Sequence, residues 1–342
     1  PTAGYVPTAE SDDSAILAME EEMGMLSIVI DANTVITENT VWNEDVTLSG
    51  TVCVDGAMLV IMPGVSVYNA SGTGGIVVRN GGAIVACGTN ELRVGFTSAS
   101  AQPYQDDYPF AIKIEETASP ACQIYNCVVM FAERGIWIDN CRLERPIELV
   151  TAAHCSTGIY QEGPNLTDVL NNEMINCVWA GMDIYLTDAN DPNNTCSADT
   201  SIAIEHNTIV GYYIYGIWGQ QFGIMVHGSP DANEIGSVSM ANNIITGSYY
   251  YAVVMGDGWI ACDGRYNHGY YDNWEIDTGD PWGDIDPVIV ELDPFRWSVF
   301  SWPLLLGPDS PFTDSGKGSV EDYPYIIGLS TYMGFPDVNT AD

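Results

Sequence analysis

Apolar residues in this chain come in short runs broken by glycine, asparagine and aspartate, and no segment in its middle carries a helical period. From Leu26 to Ser98 the runs read SIVID, TVWNEDVTL, TVCVDG, MLVIMPGVSVY, GGIVVRNGGAIVACGT and RVGFTS. β-Branched runs bounded by turn formers are strands. Residues 98–120 are polar and proline-bearing, so the sequence predicts a loop there that projects from the body. Residues 1–27 read differently. Ser11-Asp12-Asp13-Ser14 would cap a short helix that reaches Met23 and stops at Gly24, with Ile16, Met19 and Met23 on one face.

A degenerate repeat follows. Asn126-Cys127-Val128-Val129 precedes Gly135-Ile136, His154-Cys155 precedes Gly158-Ile159, and Asn176-Cys177-Val178 precedes Gly181-Met182. Asn207-Thr208-Ile209-Val210 then precedes Gly216-Ile217, and Asn242-Asn243-Ile244 begins a last copy. A period of roughly 20 to 35 residues is too short for a βαβ unit and suits one coil of three short strands. Copies then stack as parallel strands ~4.8 Å apart. The expected fold is all-β, a right-handed parallel β-helix over 28–260, with a short N-terminal helical cap at 1–27 and an irregular aromatic and acidic C-terminal cap at 261–342. Stacking places like over like, and the expected internal asparagine ladder is Asn126, Asn176, Asn207 and Asn242.

The segments Leu59-Val60-Ile61-Met62-Pro63-Gly64 and Gly81-Gly82-Ala83-Ile84-Val85, and the closing Pro308-Asp309-Ser310-Pro311-Phe312, resemble the bacterial right-handed parallel β-helix repeat proteins of the pectate-lyase-like superfamily. The resemblance spans roughly residues 28 to 335 and implies architecture. That superfamily includes lyases, hydrolases, epimerases, adhesins and structural surface proteins, so the resemblance alone assigns no catalytic residue. The Gly-His-Gly and Arg-Ile-Lys segments of its polygalacturonases are not found here.

Charge narrows the partners. Nine Lys plus Arg stand against 46 Asp plus Glu, a formal net charge of -37, which excludes nucleic acid because phosphate binding needs clustered cations. The apolar runs fall far short of the ~20 residues of a membrane span. Nine cysteines, with no Cys-x-x-Cys, read as core fillers and local disulfides. If Cys127, Cys155 and Cys177 stack, one pair among them would lie within disulfide reach. A chain that begins at Pro1 fits a secreted product, extracellular or on a cell surface.

Candidate chemistry is sparse. A glycosidase needs two carboxyls, and Asp183, Glu205, Asp257 and Asp263 are the candidates, with Arg265 as a cation beside them. Calcium is the one expected cofactor. Asp188, Asn190, Asp191 and Asn193 place oxygens at short spacings, as do Asp280, Asp284 and Asp286. Late aromatics such as Trp218 and Tyr249 suit stacking on sugars. The leading expectation is a secreted, non-catalytic structural or surface protein that self-associates, as a homo-oligomer, filament or surface layer. A polysaccharide lyase or glycoside hydrolase, and a carbohydrate-binding surface protein, are the alternatives.

Overall fold

The computed structural model describes residues 28–70, 72–185, 201–211, 220–227, 237–248 and 251–255, with short strands at 265–266, 269–271 and 288–290. They form a right-handed parallel β-helix. Three sheets, here called A, B and C, contain 11, 9 and 9 strands, and each coil adds one strand to each sheet in turn. One coil runs through Cys127–Met130 in sheet A, Ala132–Asp139 in sheet B and Ile147–Glu148 in sheet C.

Alternation builds the core. In Val46–Leu48 the two end residues are buried and Thr47 is partly exposed, and Val52–Asp55 alternates in the same way. In sheet B one inward column runs from Val52 through Ile76, Ile112, Ile136, Ile159, Met182 and Ile224 to Val253. Each of these side chains is fully buried, contributing about 1.5–3 kcal/mol. In later coils the alternation disappears. Thr151–Ala153, Glu173–Ile175 and Thr208–Val210 of sheet A are buried on both faces.

Single left-handed residues turn the chain between sheets. Asn126, Leu149, Asn171, His206 and Asn242, with φ of 53 to 57°, lie between sheets C and A. Phe131, His154 and Asn176 do the same between A and B. Asparagine tolerates this region best. The residue that follows the first corner points inward, and there Asn172, Asn207 and Asn243 form the ladder. Asn172 Nδ2 donates to Asn207 Oδ1 at 3.1 Å, and Asn207 Nδ2 donates to Asn243 Oδ1 at 3.0 Å. Backbone N–H groups of Asn172 and Asn207 donate to the same oxygens. Of the expected ladder only Asn207 belongs; Asn126, Asn176 and Asn242 are corner residues, because the left-handed position comes one residue before the inward one, or in another corner.

Other expectations change too. Residues 98–120 are not one projecting loop, since Tyr108–Ile114 is a seven-residue strand of sheet B. Pro109 lies near its start, where a missing N–H is tolerated. The seven described cysteines are all free thiols, so the local disulfides expected among them are absent. Cys155 and Cys177 occupy matching places after the A-to-B corner, whereas Cys127 follows the C-to-A corner. Burial pushes the thiols of Cys127 and Cys155 up to about 12, and those of Cys122 and Cys141 to about 11. The expected N-terminal helix lies outside the described residues, and of the expected C-terminal cap at 261–342 only the strands Arg265–Tyr266, Gly269–Tyr271 and Val288–Val290 are described, which continue sheets C and A.

Candidate functional site

The outward face of sheet B concentrates the polar and aromatic chemistry, and its register sets the arrangement. Four strands share one pattern after a glycine: Gly135-Ile136-Trp137-Ile138-Asp139, Gly158-Ile159-Tyr160-Gln161-Glu162, Gly181-Met182-Asp183-Ile184-Tyr185 and Gly223-Ile224-Met225-Val226-His227. The glycine fits because sheet A approaches closely there. A Cβ on Gly158 would come within 2.5 Å of Met174 Sδ and 2.7 Å of the Gly181 carbonyl oxygen. The third residue of each pattern points outward, giving the column Lys113, Trp137, Tyr160, Asp183 and Met225. The fifth gives Asp139, Glu162, Tyr185 and His227. The fourth copy expected at Gly216-Ile217 is in fact at Gly223-Ile224; residues 212–219 lie outside the described residues.

Rings follow one another along this face. Phe110 and Trp137 centroids are 6.1 Å apart, Trp137 and Tyr160 5.8 Å, Tyr160 and Tyr185 5.6 Å, and Tyr185 stacks on His227 at 4.3 Å. Two carboxylates hold them. Trp137 Nε1 donates to Glu162 Oε1 and Tyr160 OH donates to Glu162 Oε2, both at 3.0 Å. Trp179 Nε1 donates to Asp183 Oδ2 at 3.2 Å. Asp183 Oδ1 lies 3.0 Å from His227 Nε2, within ion-pair distance, and neither atom has a hydrogen-bond partner among the described residues. Glu162 is 7% exposed and Asp183 3%, so both charges are largely taken out of water. Burial pushes the Tyr160 phenol up, with the Glu162 charge adding to it, and pushes Tyr185 up, with Asp183 adding.

Two of the chain's few cations meet at Trp137. Lys113 Nζ lies 4.0 Å from its ring centroid and Arg134 Cζ 4.1 Å, while Arg134 is also 4.1 Å from the Tyr160 centroid. Lys113 is spent on Asp139 at 3.2 Å and Glu115 at 3.7 Å. Trp179, 39% exposed, stands at the rim with Phe222 edge-on at 5.1 Å. The segment before Tyr108 borders that rim, where Gln105 Nε2 donates to the Cys155 carbonyl at 2.8 Å.

Of the residues singled out in the sequence, Asp183 is in this site. Glu205 ends a strand of sheet C, where it accepts from Ser239 Oγ at 2.9 Å, so the two acids do not form a pair. Arg265 begins a short strand of sheet C. Asp257, Asp263 and the calcium candidates Asp188, Asn190, Asp191, Asn193, Asp280, Asp284 and Asp286 lie outside the described residues. Among the described residues no group of three His, Cys, Asp or Glu side chains is placed to hold a metal, and no helix is long and apolar enough to cross a membrane. Glu162, Arg134, Trp137 and His227 were missed, although aligning the four glycine patterns places all but Arg134 in outward columns. No family model, curated protein or solved structure matches the chain.

Proposed function

We propose that the outer face of sheet B is a glycan-binding surface, on a β-helix of the pectate-lyase-like kind that works outside the cell. The observation that carries this is the row of rings from Phe110 to His227, two of whose members are fixed by one buried carboxylate. Rings held rigid give stacking area at little entropic cost, and polar groups beside them fix orientation. Exposed Trp179 supplies an open platform. Binding without catalysis is favoured because both Glu162 oxygens are committed to ring donors. Calorimetry against a panel of oligosaccharides tests the reading: one class should bind, and Trp179→Ala should weaken it about tenfold. Absence of binding across the panel rejects it.

Self-association is a second reading. Val29, Val35 and Val41, one on each sheet of the first coil, are 63, 47 and 58% exposed, at strands that end their sheets among the described residues. Apolar sheet edges are pairing sites. Sedimentation across a concentration series should show a rising mass, which Val29→Lys with Val41→Lys would abolish. Constant monomer mass rejects it. Calcium at the two acidic segments remains part of the proposal. Added calcium should raise the melting midpoint and chelator lower it.

A further inference from the structure

We infer that Arg134 is the specificity-determining residue of the sheet B face and that this face selects uncharged glycans, Arg134 donating to a pair of neighbouring sugar hydroxyls. The inference rests on the glycan-binding reading and names its ligand class. Arg134 leads outward from the strand Ala132–Asp139, and its guanidinium lies 4.1 Å from the ring centroids of both Trp137 and Tyr160. Those rings are themselves fixed through Glu162, so the guanidinium is held in place. Yet it makes no hydrogen bond and no ion pair with the described residues. A planar fork of donors, preorganised and unspent, matches two adjacent acceptor oxygens.

Two adjacent oxygens occur in a vicinal diol and in a carboxylate, and charge decides between them. Around Arg134 the face carries Glu115, Asp139, Glu162 and Asp183, the last beside His227, against one further Lys or Arg among the described residues, Lys113, which Asp139 and Glu115 already hold. The whole chain carries a formal charge of -37. A polyanion approaching this field is repelled both at long range and at the site, whereas a neutral sugar is not.

The test is calorimetric titration of the full chain with neutral xylo-, gluco- and manno-oligosaccharides and with oligogalacturonate, at salt of about 0.01 M and about 0.15 M. A neutral oligosaccharide should bind at least about tenfold tighter than oligogalacturonate at low salt, with the gap narrowing as salt screens the repulsion. Arg134→Ala should weaken the neutral ligand about tenfold, and Arg134→Lys, which keeps the charge but not the fork, should recover little of it. Circular dichroism of both variants confirms that they remain folded. If oligogalacturonate binds more tightly, or if Arg134→Lys binds as the parent does, the inference is overturned while glycan binding stands. If neither class of sugar binds, the glycan reading itself fails, and the inference with it.

Discussion

Thr151 donates its hydroxyl to Glu173 Oε2 at 2.8 Å across adjacent strands of sheet A, on the outward side of a strand pair that is nonetheless buried. The other carboxylate oxygen of Glu173 has no hydrogen-bond partner among the described residues. Burial raises the Glu173 carboxyl above its ordinary value, against the opposing hydrogen bond from Thr151 and the charge of Arg93. The folded state therefore holds this proton more tightly than the unfolded chain. Its contribution is fully present below the unfolded value near 4.3 and is lost as pH rises through the folded value. Glu173→Gln, which keeps an acceptor for Thr151 without the charge, should stabilise the protein at neutral pH by on the order of 1 kcal/mol. Urea midpoints at acid and neutral pH check this. A loss of stability at pH 7 counts against it.

Asn207 lies at the centre of the ladder: it gives Nδ2 to Asn243 Oδ1 and the Val169 carbonyl, while its Oδ1 receives from Asn172. Asn207→Ala leaves buried donors and acceptors unsatisfied on both sides. It should cost roughly 2–4 kcal/mol. A cost below about 1 kcal/mol in chemical denaturation would falsify the cooperative role of the ladder.

Gly158→Ala drives a methyl group against Met174 Sδ and the Gly181 carbonyl oxygen. Overpacking of this kind should destabilise by about 1–3 kcal/mol. Met174→Ala in the same chain should return part of the loss, because the obstructing thioether goes. A double variant less stable than the sum of the single changes contradicts this account of the site.

Cysteine reactivity should divide by depth. Cys122, Cys127, Cys141, Cys155 and Cys177 are buried, while Cys53 and Cys87 are partly exposed. Peptide-level mass spectrometry after brief iodoacetamide treatment of the native protein should find the partly exposed pair labelled well before the buried five. Equal labelling in the folded state refutes the assignment.

The solenoid was legible because its signals are local. The glycines of the Gly135-Ile136 and Gly158-Ile159 steps leave no room for a larger residue beside the adjacent strand or sheet, and the Asn or His before Cys127, Cys155 and Cys177 reports a left-handed corner. The ladder was misplaced by one residue because corner and inward asparagines alternate, as in Asn171-Asn172 and Asn242-Asn243, and only their φ values tell them apart. Leu149 and Phe131 occupy corners that no propensity would give them. The functional face was harder to read. Asp183 was found because it follows a Gly-Met step, but its partner His227 lies one coil away and more than forty positions along the chain, beyond the reach of a local pattern. Pro109 hid a strand, since a proline after a polar stretch argues against pairing, yet it lies at the second position of the strand.

Closing each coil on a single left-handed residue also makes the chain editable in units. From Asn126 to Leu149, and from Leu149 to Asn171, the path leaves one corner and returns to the equivalent corner one rung higher. A segment cut at two such residues begins and ends with the same backbone geometry, so duplicating or deleting it shifts every later coil by one rung without changing which side chains face in. The length of the ring row on sheet B is thus a countable trait, and a gene can lengthen or shorten the face by in-frame copying of one coil.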